Sequence, residues 1–299
     1  MPQDCILSYA SKFGGFAVPR LVVAACGPLV GGWLALVCLA GTEGRASDLP
    51  HRSELVLELR FNDAPGEVVK DSAAKNPPAL MTIFDGAKAD LRTAPGGGVS
   101  HKPKDRAFDN TVSLAMGGSG KTPGQGGKAV ISGGATSFDR AMSFTVQGWY
   151  KSDGVQIPSN YARLISSQRL SVVFDGPDGK GLVLSTDRGS ALSPSPVFRV
   201  ADQWVFFAIT YDGAGEYKNV VFYAGSVNGP VQVVTEASLA AGALKTVLPD
   251  VPVIIGNMPA GDRPFDGVID NIRIWADAAS SEAVLNQAEL EAIRRADTS

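Results

Sequence analysis

The chain has 299 residues, and its 27 Lys+Arg against 30 Asp+Glu give a formal net charge of -3. This slightly acidic balance argues against nucleic acid as a partner, because binding to backbone phosphates needs a basic face. Two histidines in the whole chain leave few candidates for a histidine metal site or a Ser-His triad. The 34 glycines and 19 prolines predict many turns and few long helices.

The N-terminal region, residues 1–46, has the pattern of a secretory signal peptide. Residues 21–41 carry no charge, Lys12 and Arg20 precede them, and small residues before Ser47 suit cleavage there. The alternative is an uncleaved N-terminal anchor, because about 20 apolar residues can span a bilayer. We therefore expect a secreted, periplasmic or cell-surface protein, with contact to a membrane only if the segment is retained.

All three cysteines, Cys5, Cys26 and Cys38, lie within this N-terminal region. After cleavage, residues 47–299 would reach an oxidising compartment without a disulfide and would depend on their hydrophobic core. A chain of that length buries about 70–75% of its unfolded surface, which is enough for a substantial core, and length alone allows one or two domains.

The remaining sequence consists of short strand patterns separated by turn signals. In residues 55–61, for example, leucines and a phenylalanine alternate with other residues, as in a strand with one buried face. One helix is predicted over 282–295, with Ser281 as its cap and Leu285, Ala288 and Ala292 on its apolar face. Many strands and one helix indicate an all-β sandwich or barrel. Further strands are predicted at 80–84, 111–116, 128–132, 142–151, 163–167, 170–175, 180–185, 204–211, 219–224, 230–235, 253–256 and 268–275.

Residues 92–136 are rich in Gly, Lys and Ser and predict long loops around one or two short strands. Within them, residues 115–122 (AMGGSGKT) fit a relaxed phosphate-binding loop pattern. Such a loop needs a helix directly after its Lys-Thr, and the following Pro-Gly-Gln-Gly-Gly cannot form one. No nucleotide is therefore expected.

Four segments occur in an order that resembles a known family. Residues 57–63 with 69–72, then 143–151 (SFTVQGWYK), 204–213 (WVFFAITYDG) and 265–275 (FDGVIDNIRIW) are similar to the laminin-G-like, concanavalin A-like jelly-roll domains of secreted bacterial proteins. The resemblance covers about residues 54–295. It implies a concanavalin A-like jelly-roll β-sandwich of two antiparallel sheets with a short C-terminal helix. In that family the first and last strands pair, which implies a single domain over residues 47–299. It also implies recognition of a glycan, or adhesion to a surface protein.

The aromatic residues divide into framework and surface candidates. Trp149, Trp204 and Trp275 lie in strand patterns and are expected to pack in the core. Tyr161 and Tyr217 lie in predicted loops, where a residue that binds a sugar is more often found. They are the predicted ligand-binding residues.

Asp270 lies within an apolar strand pattern, and strict alternation places it on the side of Val268, Ile272 and Ile274. A carboxylate there needs a partner, which an arginine, backbone amides or a calcium ion would supply. The family resemblance implies a structural Ca²⁺ between the first loop and the last strand. Carried over to this chain, its ligands would be Asp71 and Asp270 together with Asn62 or Asp63. The alternative is that Asp270 is satisfied by Arg60, Arg273 or the backbone.

No carboxylate pair of the glycosidase type is evident, because the sequence has no Glu-x-Asp-x-x-Glu or close variant. His51 and His101 have no neighbouring Ser-Asp arrangement and are expected to be exposed. We therefore expect a non-catalytic binding domain for glycans. A protein-interaction or adhesion module, and a glycoside hydrolase with an unrecognised carboxylate pair, are the alternatives.

Overall fold

The structure is a computed structural model, and it describes residues 49–51, 53–61, 68–83, 108–109, 127–152, 161–174, 181–261, 263–265 and 267–298. The described helices and strands belong to one compact unit, Gly44–Ser299. No helix within these ranges is long and apolar enough to cross a lipid bilayer. The predicted signal segment, the phosphate-loop-like motif and most of the Gly-rich region lie outside the described residues.

Two antiparallel sheets make up the fold, as the sequence patterns predicted. The seven-stranded sheet has the order β1-β15-β6-β11-β12-β13, with β4 also paired to β15. It contains β1 (Leu55–Leu59), β4 (Phe108–Asp109), β6 (Ser143–Ser152), β11 (Trp204–Asp212), β12 (Val220–Ser226), β13 (Gln232–Ala237) and β15 (Gly267–Asp277).

The second sheet has eight strands in the order β10-β9-β8-β7-β14-β5-β3-β2. Its strands are β2 (Val68–Val69), β3 (Ala79–Ile83), β5 (Gly127–Ile131), β7 (Arg163–Ser166), β8 (Leu170–Phe174), β9 (Leu182–Thr186), β10 (Gly189–Ser193) and β14 (Val253–Ile255). Two 3-10 helices, Gly134–Phe138 and Pro196–Arg199, lie in the connections.

Strand β11 shows why the central strands are apolar on both sides. Val205, Phe207 and Ile209 face the main core between the two sheets. Phe206 and Ala208 belong to a second hydrophobic cluster on the outer face of the seven-stranded sheet. A strand covered on both faces reads as a nearly continuous hydrophobic run, which is the pattern that the sequence shows. Trp149 and Trp275 are fully buried in the second cluster, so their predicted framework role is confirmed.

The first and last strands of the domain pair with each other. Leu57 lies opposite Ile274, and Leu59 lies opposite Ile272. This pairing joins the two ends of the described chain in one sheet, as the family resemblance implied.

Strand β10 has no counterpart among the predicted strands. Its sequence, GSALS, has low β-propensity because Gly and Ser offer little side chain to pack. It forms nevertheless because it pairs with β9 along its whole length and lies beside the edge of the other sheet. The hydroxyls of Ser193 on β10 and Thr235 on β13 are 2.7 Å apart at this junction.

Helix α1 (Gln287–Thr298) begins later than the sequence predicted. The side chain of Asn286 accepts hydrogen bonds from the backbone N–H of Ala288 and Glu289 and so caps the helix. The carboxylate of Glu289 accepts the N–H of Asn286 in return, which completes a capping box. The predicted cap Ser281 is wrong, because its hydroxyl donates to Asp212 instead.

The predicted apolar face of this helix is also wrong. Ala288 and Ala292 are exposed, whereas Leu290 and Ile293 are buried against the outer face of the seven-stranded sheet. Leu285 is buried as predicted, but it lies before the helix. Leu290 and Ile293 are three residues apart and so share one face of the helix, whereas the predicted face was built on Leu285, which precedes it.

Candidate functional site

The two predicted ligand-binding tyrosines lie at opposite ends of the sandwich. The Ser143 end is the end at which β6 begins, and the Tyr150 end is the end toward which β6 runs. Tyr217 follows β11 directly, and the last residue of β11, Asp212, pairs with Ser143. Tyr217 therefore belongs to the Ser143 end.

Tyr161 belongs to the Tyr150 end. The neighbouring Ala162 accepts a hydrogen bond from the N–H of Phe174, and the Phe174 ring contacts the Tyr150 ring at 5.2 Å between centroids. Because a strand rises about 3.3 Å per residue, the two ends of β6 are about 30 Å apart. Tyr161 and Tyr217 therefore do not form a single binding site.

The Tyr161 surface consists of Tyr161, Arg263 and the loop 256–261 beside them. The Tyr161 side chain is 43% exposed, and its backbone has a left-handed φ of 48°. The guanidinium carbon of Arg263 lies 5.7 Å from the centre of the Tyr161 ring, within range of a cation–π interaction. The surface thus presents an aromatic ring next to a group with several hydrogen-bond donors.

Asn257 holds this loop in place. It is fully buried, and its side-chain oxygen accepts hydrogen bonds from the N–H of Met258 at 2.9 Å and of Arg263 at 3.0 Å. The carbonyl of Arg263 in turn accepts the N–H of Arg163 at the start of β7. The backbone of Arg263 is therefore held by hydrogen bonds through both its N–H and its carbonyl.

Lys128 fastens the same loop from β5. Its ammonium group donates to the carbonyl of Pro259 at 2.9 Å. Partial burial lowers the pKa of Lys128, because an ammonium group is less well solvated there than in water. The Lys128 side chain thus links β5 to the loop 256–261 by a hydrogen bond.

An aromatic cluster in the core lies at the same end of the sandwich as the Tyr161 surface. The Phe174 and Phe265 rings stack at 5.7 Å, and Tyr150 meets both rings edge-on. The Tyr150 hydroxyl donates to the carbonyl of Phe198 at 2.7 Å, and burial raises the pKa of this phenol well above its ordinary value. Such packing makes the Tyr150 end of the core rigid.

Tyr217 has a different environment. Its side chain is 76% exposed, so most of the ring has no protein support. The ammonium of Lys218 lies 5.8 Å from its ring centre and also donates to Glu236 at 2.7 Å. Whether either tyrosine binds a ligand stays a prediction.

Asp71, one of the predicted calcium ligands, is surrounded by hydrogen-bond donors. One carboxylate oxygen accepts the N–H of Glu58 and of Ala73, and the other accepts the N–H of Lys75 and both nitrogens of Asn76. These five bonds satisfy the carboxylate without a metal. Asn62 and Asp63 lie outside the described residues.

Asp270 is buried, but on a different face from the predicted one. A β-bulge in β15 inserts an extra residue between Asp270, which pairs with Trp149, and Arg273, which pairs with Gln147. The side chains of Ile272 and Ile274 therefore face the main core, whereas Asp270 lies on the outer face with Trp149. The prediction that Asp270 shares a face with those two isoleucines is wrong, because strict alternation fails at a bulge.

The bulge also gives Asp270 a backbone partner. Asn271 has a left-handed φ of 48°, and its N–H donates to the Asp270 carboxylate at 2.9 Å. Within the described part of the chain, no group of three or more His, Cys, Asp or Glu side chains is placed to hold a metal ion. The calcium site stays a prediction, since two of its proposed ligands are not described.

A buried ionic network on the same face was not predicted. Arg273 donates to Asp297 through both terminal nitrogens, at 3.0 and 2.8 Å, and to Glu58 through Nε at 2.9 Å. Burial disfavours the charge of Glu58, but Arg273 and Arg60 outweigh it and lower the pKa of this carboxyl. Arg273, on the last strand, thereby links Glu58 on the first strand to Asp297 on the helix.

His51 is half-buried rather than exposed. Its ring nitrogen Nε2 lies 2.9 Å from the carboxylate of Glu289 on α1, and Nδ1 lies 3.6 Å from Glu282. The contact fastens the start of the described chain to the helix. His101 lies outside the described residues.

The architecture defines the class of protein: a lectin-like β-sandwich of two antiparallel sheets. The sequence matches the laminin-G model described as "Concanavalin A-like lectin/glucanases superfamily" over residues 124–285. The chain therefore belongs to the concanavalin A-like lectin/glucanase superfamily. No curated protein matches the sequence significantly.

Several solved structures are similar to this chain at low sequence identity. Domain 4 of the extracellular arabinanase AbnA of Geobacillus stearothermophilus, solved with arabinotriose, is 12% identical with a TM-score of 0.50, and the match covers 81% of this chain and 98% of that one. The botulinum neurotoxin serotype D/C binding domain is 10% identical with a TM-score of 0.48, covering 82% and 52% of the two chains. The sialidase of Trypanosoma rangeli is 15% identical with a TM-score of 0.45, covering 81% and 32%.

Proposed function

We propose that this protein is an extracellular, non-catalytic domain that binds a glycan at the Tyr161 surface. The observation that carries the proposal is the pairing of the exposed Tyr161 ring with the Arg263 guanidinium on a loop that buried Asn257 holds in place. Tyr217 lies at the other end of the sandwich and is assigned no part in this site.

The chemistry of the Tyr161 surface suits a sugar. A pyranose or furanose ring has an apolar face that packs on an aromatic ring, and hydroxyls that accept hydrogen bonds from a guanidinium. Binding sites place a few polar groups precisely around such an apolar contact. The ties from Asn257 and Lys128 reduce the entropy that the loop would otherwise lose on binding.

Three buried carboxylates support a non-catalytic role. Glu58 and Asp297 are both hydrogen-bonded to Arg273, and Asp71 accepts five N–H groups. A general acid or nucleophile in a glycosidase must reach the substrate, and these groups are instead fixed inside the protein. The arabinanase domain, solved with a sugar, adds an example in which this fold holds a carbohydrate.

The test is a screen of neutral and charged oligosaccharides with protein obtained by expressing the full sequence in a host that exports it. We expect binding to at least one oligosaccharide, loss of that binding in Arg263→Gln and Tyr161→Ala, and an unchanged melting temperature in both variants. Tyr217→Ala is the matched control, because it removes a more exposed tyrosine from the opposite end.

Three other outcomes would contradict the proposal. Binding that survives Tyr161→Ala and Arg263→Gln would place the ligand elsewhere. Release of reducing ends from a bound oligosaccharide by the purified protein would show a glycoside hydrolase. A screen without any bound glycan would favour the protein-interaction alternative.

A further inference from the structure

The Ser143 end is closed by a long connection between β13 and β14. We refer to residues 240–248 of this connection as the strap. The Tyr211 hydroxyl lies 2.7 Å from the carbonyl of Gly242, and the N–H of Leu244 donates to Ala141. The N–H of Val247 donates to the carboxylate of Asp139 at 2.6 Å. Hydrogen bonds to β11 and to the connection that precedes β6 thus hold the strap in place.

Two arginines from different turns converge on one residue of the strap. Arg140 donates through Nε to the hydroxyl of Thr246 at 3.0 Å. Arg169 donates through Nε and Nη2 to the carbonyl of Thr246 at 3.3 and 3.1 Å. Two guanidinium groups around one residue bring like charges together, which favours an anion at this place.

Two further cations lie at this place, Arg188 from the connection between β9 and β10 and Lys245 from the strap itself. Arg188 donates through Nε to the carbonyl of Ala243 at 2.7 Å, and Lys245 is exposed next to Thr246. The strap surface is defined as these four cationic side chains together with Thr246 and Leu248. Leu248 is 59% exposed and gives the surface one apolar contact point.

The carboxylates near the strap surface neutralise it only in part. Asp139 accepts the N–H of Val247, and Asp187 accepts the N–H of Lys245 at 2.9 Å and lies 3.6 Å from Arg169. Arg140 makes no ion pair within the described ranges of the chain. The surface is positive even when the exposed Asp250 beyond the strap is counted.

We propose that the strap surface is a second ligand site, which binds the carboxylate or phosphate groups of an acidic polysaccharide. The terminal nitrogens of Arg140 form a planar pair of donors that matches an oxyanion. The Thr246 hydroxyl accepts from Arg140, so its own hydrogen is available to the same anion. The proposal does not depend on the Tyr161 surface, which lies at the other end of the sandwich.

The composition of the strap surface favours a polysaccharide over a protein partner. Protein interfaces depend on aromatic and apolar anchors that bury at their centre. The strap surface offers four spaced charges, one hydroxyl and a single exposed leucine. Such a surface matches a hydrophilic polymer with repeated charges, whose affinity comes from several charge-assisted hydrogen bonds.

The experiment measures binding of three polymers to the purified protein: a uronic acid homopolymer, a phosphate-linked polyol and neutral dextran. Titrations are run at about 50 mM and about 300 mM NaCl, because added salt screens charge pairing at a surface. We expect one of the two acidic polymers to bind, with weaker binding at high salt, and dextran not to bind. Whichever acidic polymer binds identifies the source of the oxyanion.

The variant that tests the site is Arg140→Gln combined with Lys245→Gln. Lys245→Gln keeps the backbone N–H that Asp187 accepts, so the strap retains this tie. We expect about a tenfold loss of affinity for the acidic polymer and an unchanged melting temperature. The matched control removes one arginine and one lysine at the Tyr150 end, Arg199→Gln with Lys151→Gln, and should bind normally.

Several results would overturn the proposal. These are failure of both acidic polymers to bind, binding that does not depend on salt, and equal loss in the control variant. Tyr161→Ala separates the two sites: it should abolish binding of the glycan found in the first screen and leave the acidic polymer bound.

Discussion

Arg273 on the last strand holds Asp297 in the last turn of helix α1 by two parallel hydrogen bonds of 3.0 and 2.8 Å. An aspartate at the C-terminal end of a helix is normally unfavourable, because the helix dipole is negative there. The bidentate pair, together with the hydrogen bond that the Trp149 indole donates to Asp297, outweighs this effect. The network fixes the helix on the sheet.

Asp297→Ala should strongly destabilise the protein. It leaves the buried Arg273 without its bidentate partner, and breaking such a pair costs about 3–5 kcal/mol. Urea unfolding followed by tryptophan fluorescence measures the change. Glu216→Ala is the control, because this carboxylate is exposed, and a loss of stability as small as in the control would show that the ion pair does not fix the helix.

Acid should weaken the attachment of the helix through Glu291. Hydrogen bonds from Arg294, the Val231 N–H and Arg295 lower the pKa of Glu291 from 4.5 to about 2, against the opposing effect of desolvation. The folded state therefore holds fewer protons than the unfolded state between these values. The stabilisation from Glu291 is complete above pH 4.5 and is lost as the pH falls toward 2.

Unfolding free energies measured from pH 7 to pH 2 test this dependence. Glu291→Gln should be less stable than the wild type at neutral pH, and the two should converge near pH 2. Glu216→Gln, which changes an exposed carboxyl, serves as the control. A constant difference between wild type and Glu291→Gln at every pH would contradict the assignment.

The bulge that reorients Asp270 depends on the left-handed backbone of Asn271. Asn271→Val should cost about 1–3 kcal/mol, because a β-branched residue is strained at positive φ. Asn271→Gly should be nearly neutral, and both variants keep the carbonyl that accepts from Gln147. Equal destabilisation by Val and Gly in chemical denaturation would mean that the Asn side chain, rather than the backbone conformation, stabilises the bulge.

The long strands could be predicted from sequence because their patterns are local. Residues of β6 and β11 are apolar on both faces. In β1, Leu57 and Leu59 face the main core as predicted, but a register shift after Leu55 places that residue in the outer cluster. The bulge at Asn271 could not be read this way, since one inserted residue reverses every later side chain without changing the composition. The start of the helix was readable: the Asn286 and Glu289 spacing is a capping-box signal, and Ser281 has no acid three residues later.

The candidate site was only partly predictable. Tyr161 is recognisable as a loop aromatic, but the contact with Arg263 joins residues about 100 positions apart and follows from the packing of a loop against β7. The network of Glu58, Arg273 and Asp297 likewise follows from tertiary packing, in this case of the first strand and the helix against the last strand. Neither contact leaves a short-range signal, because each depends on strands that are distant in sequence and adjacent in the sheets.

The predicted calcium site has a direct test in thermal unfolding with added calcium and with EDTA. A metal that binds only the folded state raises the melting temperature in proportion to RT ln(1 + [L]/Kd). The hypothesis predicts a rise of several degrees in calcium that Asp270→Ala abolishes. Identical melting temperatures in calcium and EDTA would contradict it and leave Asp270 as a buried carboxylate served by the amide of Asn271.

The most direct test of the account is the affinity of the glycan found in the screen for four proteins: wild type, Tyr161→Phe, Tyr161→Ala and Tyr217→Ala. If the ring of Tyr161 is the binding platform, Tyr161→Phe and Tyr217→Ala bind like the wild type. Tyr161→Ala then loses at least about tenfold in affinity, or about 1.4 kcal/mol. Wild-type affinity in Tyr161→Ala, or an equal loss in Tyr217→Ala, would contradict the assignment of the Tyr161 surface as the glycan site.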